Sequence, residues 1–177
     1  MERRFYLVDA QVLPEVFLKV VRAKELLASG DYFSVLDELA RRDKRVFVDL
    51  KFFDIPATVA GVIRGLSRWP VTYATLHGWH AGMMRAAADA RSGELRLLAV
   101  TVLTSMDGHD LSDAGYHDDP ATLVLKRARQ ARAAGMGGIV CSAAEAEAVR
   151  DIVGPDMAVV TQSLKNATLL GRARGTG

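Results

Sequence analysis

The chain has 177 residues, half of them apolar and a quarter charged, which is an ordinary globular balance with length enough for one real core. Its formal net charge of +2 comes from mixed signs spread along the sequence, so there is no basic stripe to track a phosphate backbone and nucleic acid is not an implied partner. A single cysteine, Cys141, cannot form an internal disulfide, and no segment reaches the roughly 18 unbroken apolar residues of a membrane span.

In chain order, the N-terminal "MERRFYLVDAQVLPEV" carries early charge, and Asp9 and Pro14 interrupt any apolar run. It does not read as a signal peptide, and a reducing cytoplasm is the expected location. Apolar runs of strand length then alternate with longer segments of helical period, which predicts a parallel sheet of βα units. Strands are expected at 5–9 (FYLVD), 45–51 (RVFVDLK), 71–76 (VTYATL), 95–103 (LRLLAVTVL), 137–142 (GGIVCS) and 157–161 (MAVVT). Residues 12–29 read as one helix. The helix after Asp54 takes Pro56 in its first turn and repeats Ile55, Val59, Val62, Ile63 and Leu66 on one face. "SAAEAEAVRDIVGP" opens with a capping box, Ser142 with Glu145, and closes at Gly154 and Pro155.

No G-x-G-x-x-G follows any strand, and the glycine cluster "GMGG" at 135–138 precedes its strand, so it reads as a helix stop and not a phosphate cradle. This favours a (β/α) barrel over a doubly wound sheet. The expected fold class is α/β of the (β/α)8 TIM-barrel type, and incomplete, since a full barrel usually takes about 250 residues and at least about 200. The expected organisation is one barrel-type domain over 1–177, with a divergent N-terminal segment at 1–30 and a divergent tail at 162–177. Incompleteness would expose strand edges and apolar helix faces, which predicts low stability, a compensating oligomer or aggregation.

The chemistry concentrates in "VFVDLKFFDIPAT", residues 46–58. Strand alternation sends Val46, Val48 and Leu50 to one face and Phe47, Asp49 and Lys51 to the other. In a barrel the apolar face packs under the helices, and Asp49 and Lys51 point inward at the C-terminal mouth where active sites sit. Asp54 lies in the loop just beyond, near enough to extend the cluster. Such an acid, base, acid row orients its lysine as a proton donor; the competing reading is an ion pair at a strand end, which is common and worth little. His77 and His80 are spaced i, i+3, and His109, Asp110, His117, Asp118 and Asp119 form a polar group. No tight ligand spacing supports a metal there; "MDGHDLSDAGYHDDP" reads as capped turns and a short helix, and Cys141 as a buried structural thiol.

"DLKFFDIPAT" resembles the signature of orotidine 5'-phosphate decarboxylase, and "TLHGWHAGMMRAA", "LLAVTVLTSMDGHDL", "GGIVCSAAEA" and "VGPDMAVVT" resemble segments of that family in the same order, from about residue 31 to 161. The resemblance implies conversion of orotidine 5'-phosphate to uridine 5'-phosphate in pyrimidine biosynthesis, by a homodimer, without metal or organic cofactor. It implies that Lys51 protonates C6 of the pyrimidine, that Asp49 sits beside the substrate carboxylate, and that Asp54 reaches the partner's ribose hydroxyls. Ile55 and Thr58 would serve the same neighbouring site, and Thr104 and Ser105 would contact the nucleotide. His77 would be either a ligand contact or a satisfied structural histidine, the second being favoured. Two other readings stand beside this one. One is a metal-dependent sister enzyme, such as hexulose-phosphate synthase or keto-gulonate-phosphate decarboxylase, which shares D-x-K-x-x-D but lacks "DIPAT" and "VLTS". The other is a catalytically inactive homologue acting as an oligomerising or nucleotide-binding fragment.

The resemblance thins at both ends. Asp9 fits the family's first-strand aspartate, a substrate contact, but no second strand with its lysine is evident; Lys19 and Lys24 are candidates by proximity only and also read as helix-surface residues. Lys165 falls where the family has the arginine of a "TPGIRP" turn. "LLGRA" echoes the final phosphate-binding turn, with Arg172 as its phosphate contact, although both basic residues also fit a solvated tail. "RRFYLVDAQVLPEVFLKVVRAKELLASG" separately resembles the opening of ACT-domain regulators, without the helix-turn-helix that should follow.

Overall fold

The computed structural model describes residue 39, residues 45–103 and residues 105–161. The chain divides after Val46 into two units, and the elements below belong to the second, apart from Val46 itself. The strand and helix expected within residues 5–29 lie outside the described residues.

Strands β1 (Val46–Phe52), β2 (Val71–His77), β3 (Arg96–Val100), β4 (Gly138–Cys141) and β5 (Ala158–Thr161) alternate with helices. After β1 comes α1 (Pro56–Leu66), after β2 α2 (Ala81–Ala90), after β3 the short α3 (Gly108–Asp113) and then α4 (Pro120–Ala133), and after β4 α5 (Ala146–Val153). The strands lie side by side in sequence order, β1-β2-β3-β4-β5. The pairs from β2 to β5 are parallel and in continuous register, with Leu76 beside Ala99, Ala99 beside Ile139 and Ile139 beside Val159. A doubly wound sheet reverses its strand order at a switch point. Here the order never reverses, which is the arrangement of a barrel wall and agrees with the expected α/β barrel type.

Sequence accounts for most of these elements. β3 is buried on both faces from Leu97 to Val100, as parallel strands between helix and interior are. It ends at Val100, short of the expected residue 103, yet Thr101 still donates its N–H to Val140 O at 3.1 Å before the chain turns away. On α1 the expected apolar face is only partly covered: Val59 and Ile63 are buried, whereas Ile55 and Val62 are exposed. The helix packs against α2, whose Met83, Met84 and Ala87 are buried. Full burial of a side chain such as Ile63 contributes about 1.5–3 kcal/mol. Leu50 of β1, expected under a helix, is 64% exposed.

The glycine cluster does end a helix. Gly135 has φ +76°, its N–H donates to Arg132 O and that of Met136 to Ala131 O, both at 3.1 Å, the paired bonds of a Schellman stop. The start of α5 departs from expectation. Glu145 accepts the N–H of Ser142 at 2.9 Å, as in a capping box, but the Ser142 hydroxyl donates to the same carboxylate in place of capping the helix. Residues 143–145 therefore form a turn, and the α-helix begins at Ala146. α3 carries the full box between Asp107 and Asp110, and Asp119 caps α4, so "MDGHDLSDAGYHDDP" is the capped short helix and turn it reads as.

Gly138 opens β4 where three strands crowd. A Cβ there would stand 2.5 Å from Leu98 Cδ2 and 2.7 Å from Ala158 O, the latter a backbone atom that cannot step aside. Gly138→Ala is expected to lower stability by about 1–3 kcal/mol, the usual cost of overpacking, read as a lower urea midpoint at unchanged m-value.

Candidate active site

The C-terminal ends of the strands form a concavity whose floor is apolar, from Val100, Val140 and Val160, and whose charged wall is β1. Phe47, Asp49 and Lys51 line it, on the inward face that period-2 alternation assigns to them. Lys51 Nζ lies 2.6 Å from Asp49 Oδ2, with side chains 32% and 47% exposed. So open a pair contributes little to stability. Its value is placement.

Thr75 of β2 completes the arrangement. Its buried hydroxyl donates to Asp49 Oδ1 at 2.8 Å and accepts the Lys51 backbone N–H at 3.0 Å. Lys51 has φ +49°, the only described non-glycine residue at positive φ, a conformation costing about 1–3 kcal/mol that persists where surrounding bonds enforce it. Partial burial raises the Asp49 carboxyl, but the hydrogen bonds from Lys51 and Thr75, with the Lys51 charge, outweigh it and hold the group below its ordinary value.

The other expected residues are distributed unevenly. Asp54 does not extend the ion pair: it is exposed, and its Oδ1 accepts the N–H of Ile55 at 2.6 Å. Among the described residues Lys51 pairs only with Asp49. Ile55, Thr58 and Ser105 are exposed. Thr104, Asp9, Lys165 and Arg172 lie outside the described residues, as do Lys19 and Lys24.

His77 stands in a row of edge-to-face rings, 5.7 Å from Phe53 and 5.9 Å from Trp79, which in turn is 5.1 Å from Tyr116. The ring contacts are those of a packed histidine, but it is not fully satisfied: its Nδ1 and the Trp79 Nε1 are buried without hydrogen-bond partners among the described residues. Arg127 of α4 closes the row, its guanidinium 4.0 Å over the Trp79 ring while it donates to Thr101 O. Burial, then the charges of Arg127 and Lys51, hold His77 below its ordinary pKa. His80 is committed elsewhere, its Nδ1 accepting the Met83 N–H as the cap of α2. Among the described residues no three His, Cys, Asp or Glu side chains converge as a metal site would require. Cys141 is buried, and desolvation followed by the Glu145 charge pushes its thiol up to about 11, the reverse of an activated nucleophile.

Thr75 and Arg127 were not singled out by the sequence. Arg127 was legible in principle, since it shares the i, i+4 spacing of Leu123 and Ala131 on the buried face of α4. Thr75 was a polar residue between Ala74 and Leu76, and nothing local indicates which β1 residue it faces.

A family model described as "Orotidine 5'-phosphate decarboxylase / HUMPS family" matches residues 17–176, extending past both ends of the segment recognisable by its motifs. The orotidine 5'-phosphate decarboxylase of Xanthomonas axonopodis pv. citri (strain 306) is 60% identical over 141 residues, 80% of this chain and 58% of the relative. The corresponding protein of Xanthomonas campestris pv. campestris (strain B100) is 59% identical over the same shares. The chain thus spans about 58% of the length of the curated relatives it matches. Among solved structures, the orotidine 5'-phosphate decarboxylase of Lactobacillus acidophilus superposes with a TM-score of 0.68 at 30% identity, covering 72% of this chain and 61% of that one. An uncharacterized conserved protein from Geobacillus kaustophilus gives a TM-score of 0.69 at 30% identity, covering 81% and 71%. No described helix is long and apolar enough to cross a membrane.

The depressed titration of His77 makes the fold acid-sensitive. The folded chain favours the neutral ring, while the unfolded chain takes up a proton below about pH 6.5. The stabilising contribution is therefore complete above about pH 6.5 and is lost as the pH falls through the lower folded-state value. Urea midpoints are expected to decline below about pH 6.5, and His77→Phe, which keeps the ring packing, to flatten that part of the profile.

Proposed function

Because the chain belongs to the orotidine 5'-phosphate decarboxylase / HUMPS family, we propose that it decarboxylates orotidine 5'-phosphate to uridine 5'-phosphate in pyrimidine biosynthesis. The observation that carries this reading is the Lys51 ammonium held 2.6 Å from Asp49 at the strand-end mouth, over an apolar floor. In the proposed step the bond from C6 of the pyrimidine to its carboxylate breaks and carbon dioxide leaves. The electron pair remaining on C6 then takes a proton from Lys51 Nζ. The difficulty of this reaction lies in the carbanion, and a cation fixed in advance beside C6 stabilises it without reorganisation. Asp49 aims that cation and, in this reading, sits beside the departing carboxylate.

Thr104 and Ser105 are assigned to the nucleotide, with Lys165 and Arg172 toward its phosphate, whose binding energy would help organise the site. Asp54, Ile55 and Thr58 are assigned to the ribose of a neighbouring protomer's substrate, in a homodimer. Their exposure supports that assignment: Asp54 and Thr58 face solvent, and Phe53 and Ile55 beside them are 61% and 66% exposed.

The test is loss of orotidine 5'-phosphate absorbance on incubation with the purified chain, beside Lys51→Ala. Turnover is expected for the wild type, and a fall of about 10²- to 10⁴-fold for the variant, the usual worth of a positioned proton donor. No turnover from a demonstrably folded chain would refute the activity, and calorimetric titration with uridine 5'-phosphate would then ask whether it binds nucleotide without catalysis.

A further inference from the structure

We propose that Thr75 is a positioning residue of this site: its hydroxyl fixes the Asp49 carboxylate and the Lys51 backbone together, so that the lysine ammonium is presented at one place in the mouth. The inference concerns a residue outside the D-x-K-x-x-D pattern, and its catalytic consequence rests on the decarboxylase reading above.

A threonine hydroxyl carries a single proton. The Lys51 N–H is a donor, so at 3.0 Å Thr75 Oγ1 must accept, and its own proton is left for Asp49 Oδ1 at 2.8 Å. Asp49 Oδ1 therefore faces a donor, and Oδ2 faces the Lys51 ammonium at 2.6 Å. Both carboxylate oxygens are engaged, one by a neutral buried donor and one by the cation. This holds the carboxylate in its ionised form and stops it rotating away from the lysine.

The same hydroxyl acts on the lysine from the other end. Lys51 sits at positive φ, and the bond from its N–H to Thr75 on β2 satisfies that amide in a conformation a lysine does not otherwise favour. Thr75 is 1% exposed, so bulk water does not compete for either bond, whereas Lys51 and Asp49 are themselves open to solvent. A surface ion pair alone wanders among rotamers. Anchored to a buried, β-branched side chain with few χ1 choices, it has one geometry.

The test compares the full chain with Thr75→Val, which keeps the shape and removes the hydroxyl, and Thr75→Ser, which keeps the hydroxyl. Thr75→Val is expected to lower kcat about 10- to 100-fold, the worth of a hydrogen bond to a charged group, with little change in KM. It should also move the acidic limb of the rate profile to higher pH, and Thr75→Ser should restore both. Carboxyl-carbon NMR of Asp49 reads the same change without turnover, its titration moving up in Thr75→Val and staying put in Thr75→Ser. In an Asp49→Asn background the further effect of Thr75→Val on the rate should nearly vanish. An unchanged Asp49 titration in a folded Thr75→Val overturns the proposal, as does a Thr75→Ser that loses as much as Thr75→Val. Should Thr75→Val not fold, Thr75→Ser decides: displacement of its Asp49 titration overturns the proposal, and retention supports it. A wild-type chain that does not turn over substrate would sink the decarboxylase reading, while the NMR comparison would still judge Thr75.

Discussion

The mouth of this protein depends on the parallel ladder from β2 to β5, because parallel strands in continuous register bring their C-terminal ends to one rim. An antiparallel neighbour would put every second strand end on the opposite side and leave the charged residues of β1 facing nothing. The ladder is itself conditional on small residues. Gly78 donates to Val100 O at 2.8 Å where β2 ends beside β3, and Gly138 lets β4 enter between Leu98 and Ala158. The rim is thus set by backbone spacing, and the functional side chains are placed by which residue happens to arrive there.

Two cations meet this rim in opposite ways. Lys51 is partly exposed on the inner side, paired with a carboxylate, and aimed into a concavity. Arg127 is 2% exposed, has no ion pair among the described residues, and lies over the Trp79 ring while donating to Thr101 O. Aromatic faces and a carbonyl compensate the buried guanidinium, a contact worth about 0.5–2 kcal/mol per ring. A buried cation of this kind braces the end of β3, and a guanidinium holds its protons wherever it lies. Lys51 differs in being reachable from the concavity.

How much of this was legible in the sequence depended on range. Local patterns served well: alternation put Phe47, Asp49 and Lys51 on the inward face, and "GMGG" ended α4 through Gly135. Where one group had to choose between two local partners, the pattern misled, as when the Ser142 hydroxyl turned to Glu145 and left α5 to start at Ala146. Non-local facts were illegible. Leu50 has the apolar character of a covered residue and is nonetheless exposed, which its own local pattern does not signal. Thr75 is the sharper case, because its meaning lies in which β1 residues stand beside it, and that register is a property of the sheet. Asp54, adjacent in sequence to the pair, turned instead to its own following amide.

That last contrast bears on what D-x-K-x-x-D encodes. Within the strand, Asp49 and Lys51 are two residues apart and share a face, and the bonds to Thr75 then fix the pair. Asp54 lies beyond the strand end, where the chain has already turned toward Pro56, and pleating no longer governs its direction. The first two residues are therefore an intrachain unit, and the third is free to face outward. An outward carboxylate beside exposed Phe53 and Ile55 stands apart from the pair on the strand. The motif is therefore two structural statements in succession, a pair fixed by the strand and a carboxylate fixed by the turn that follows it.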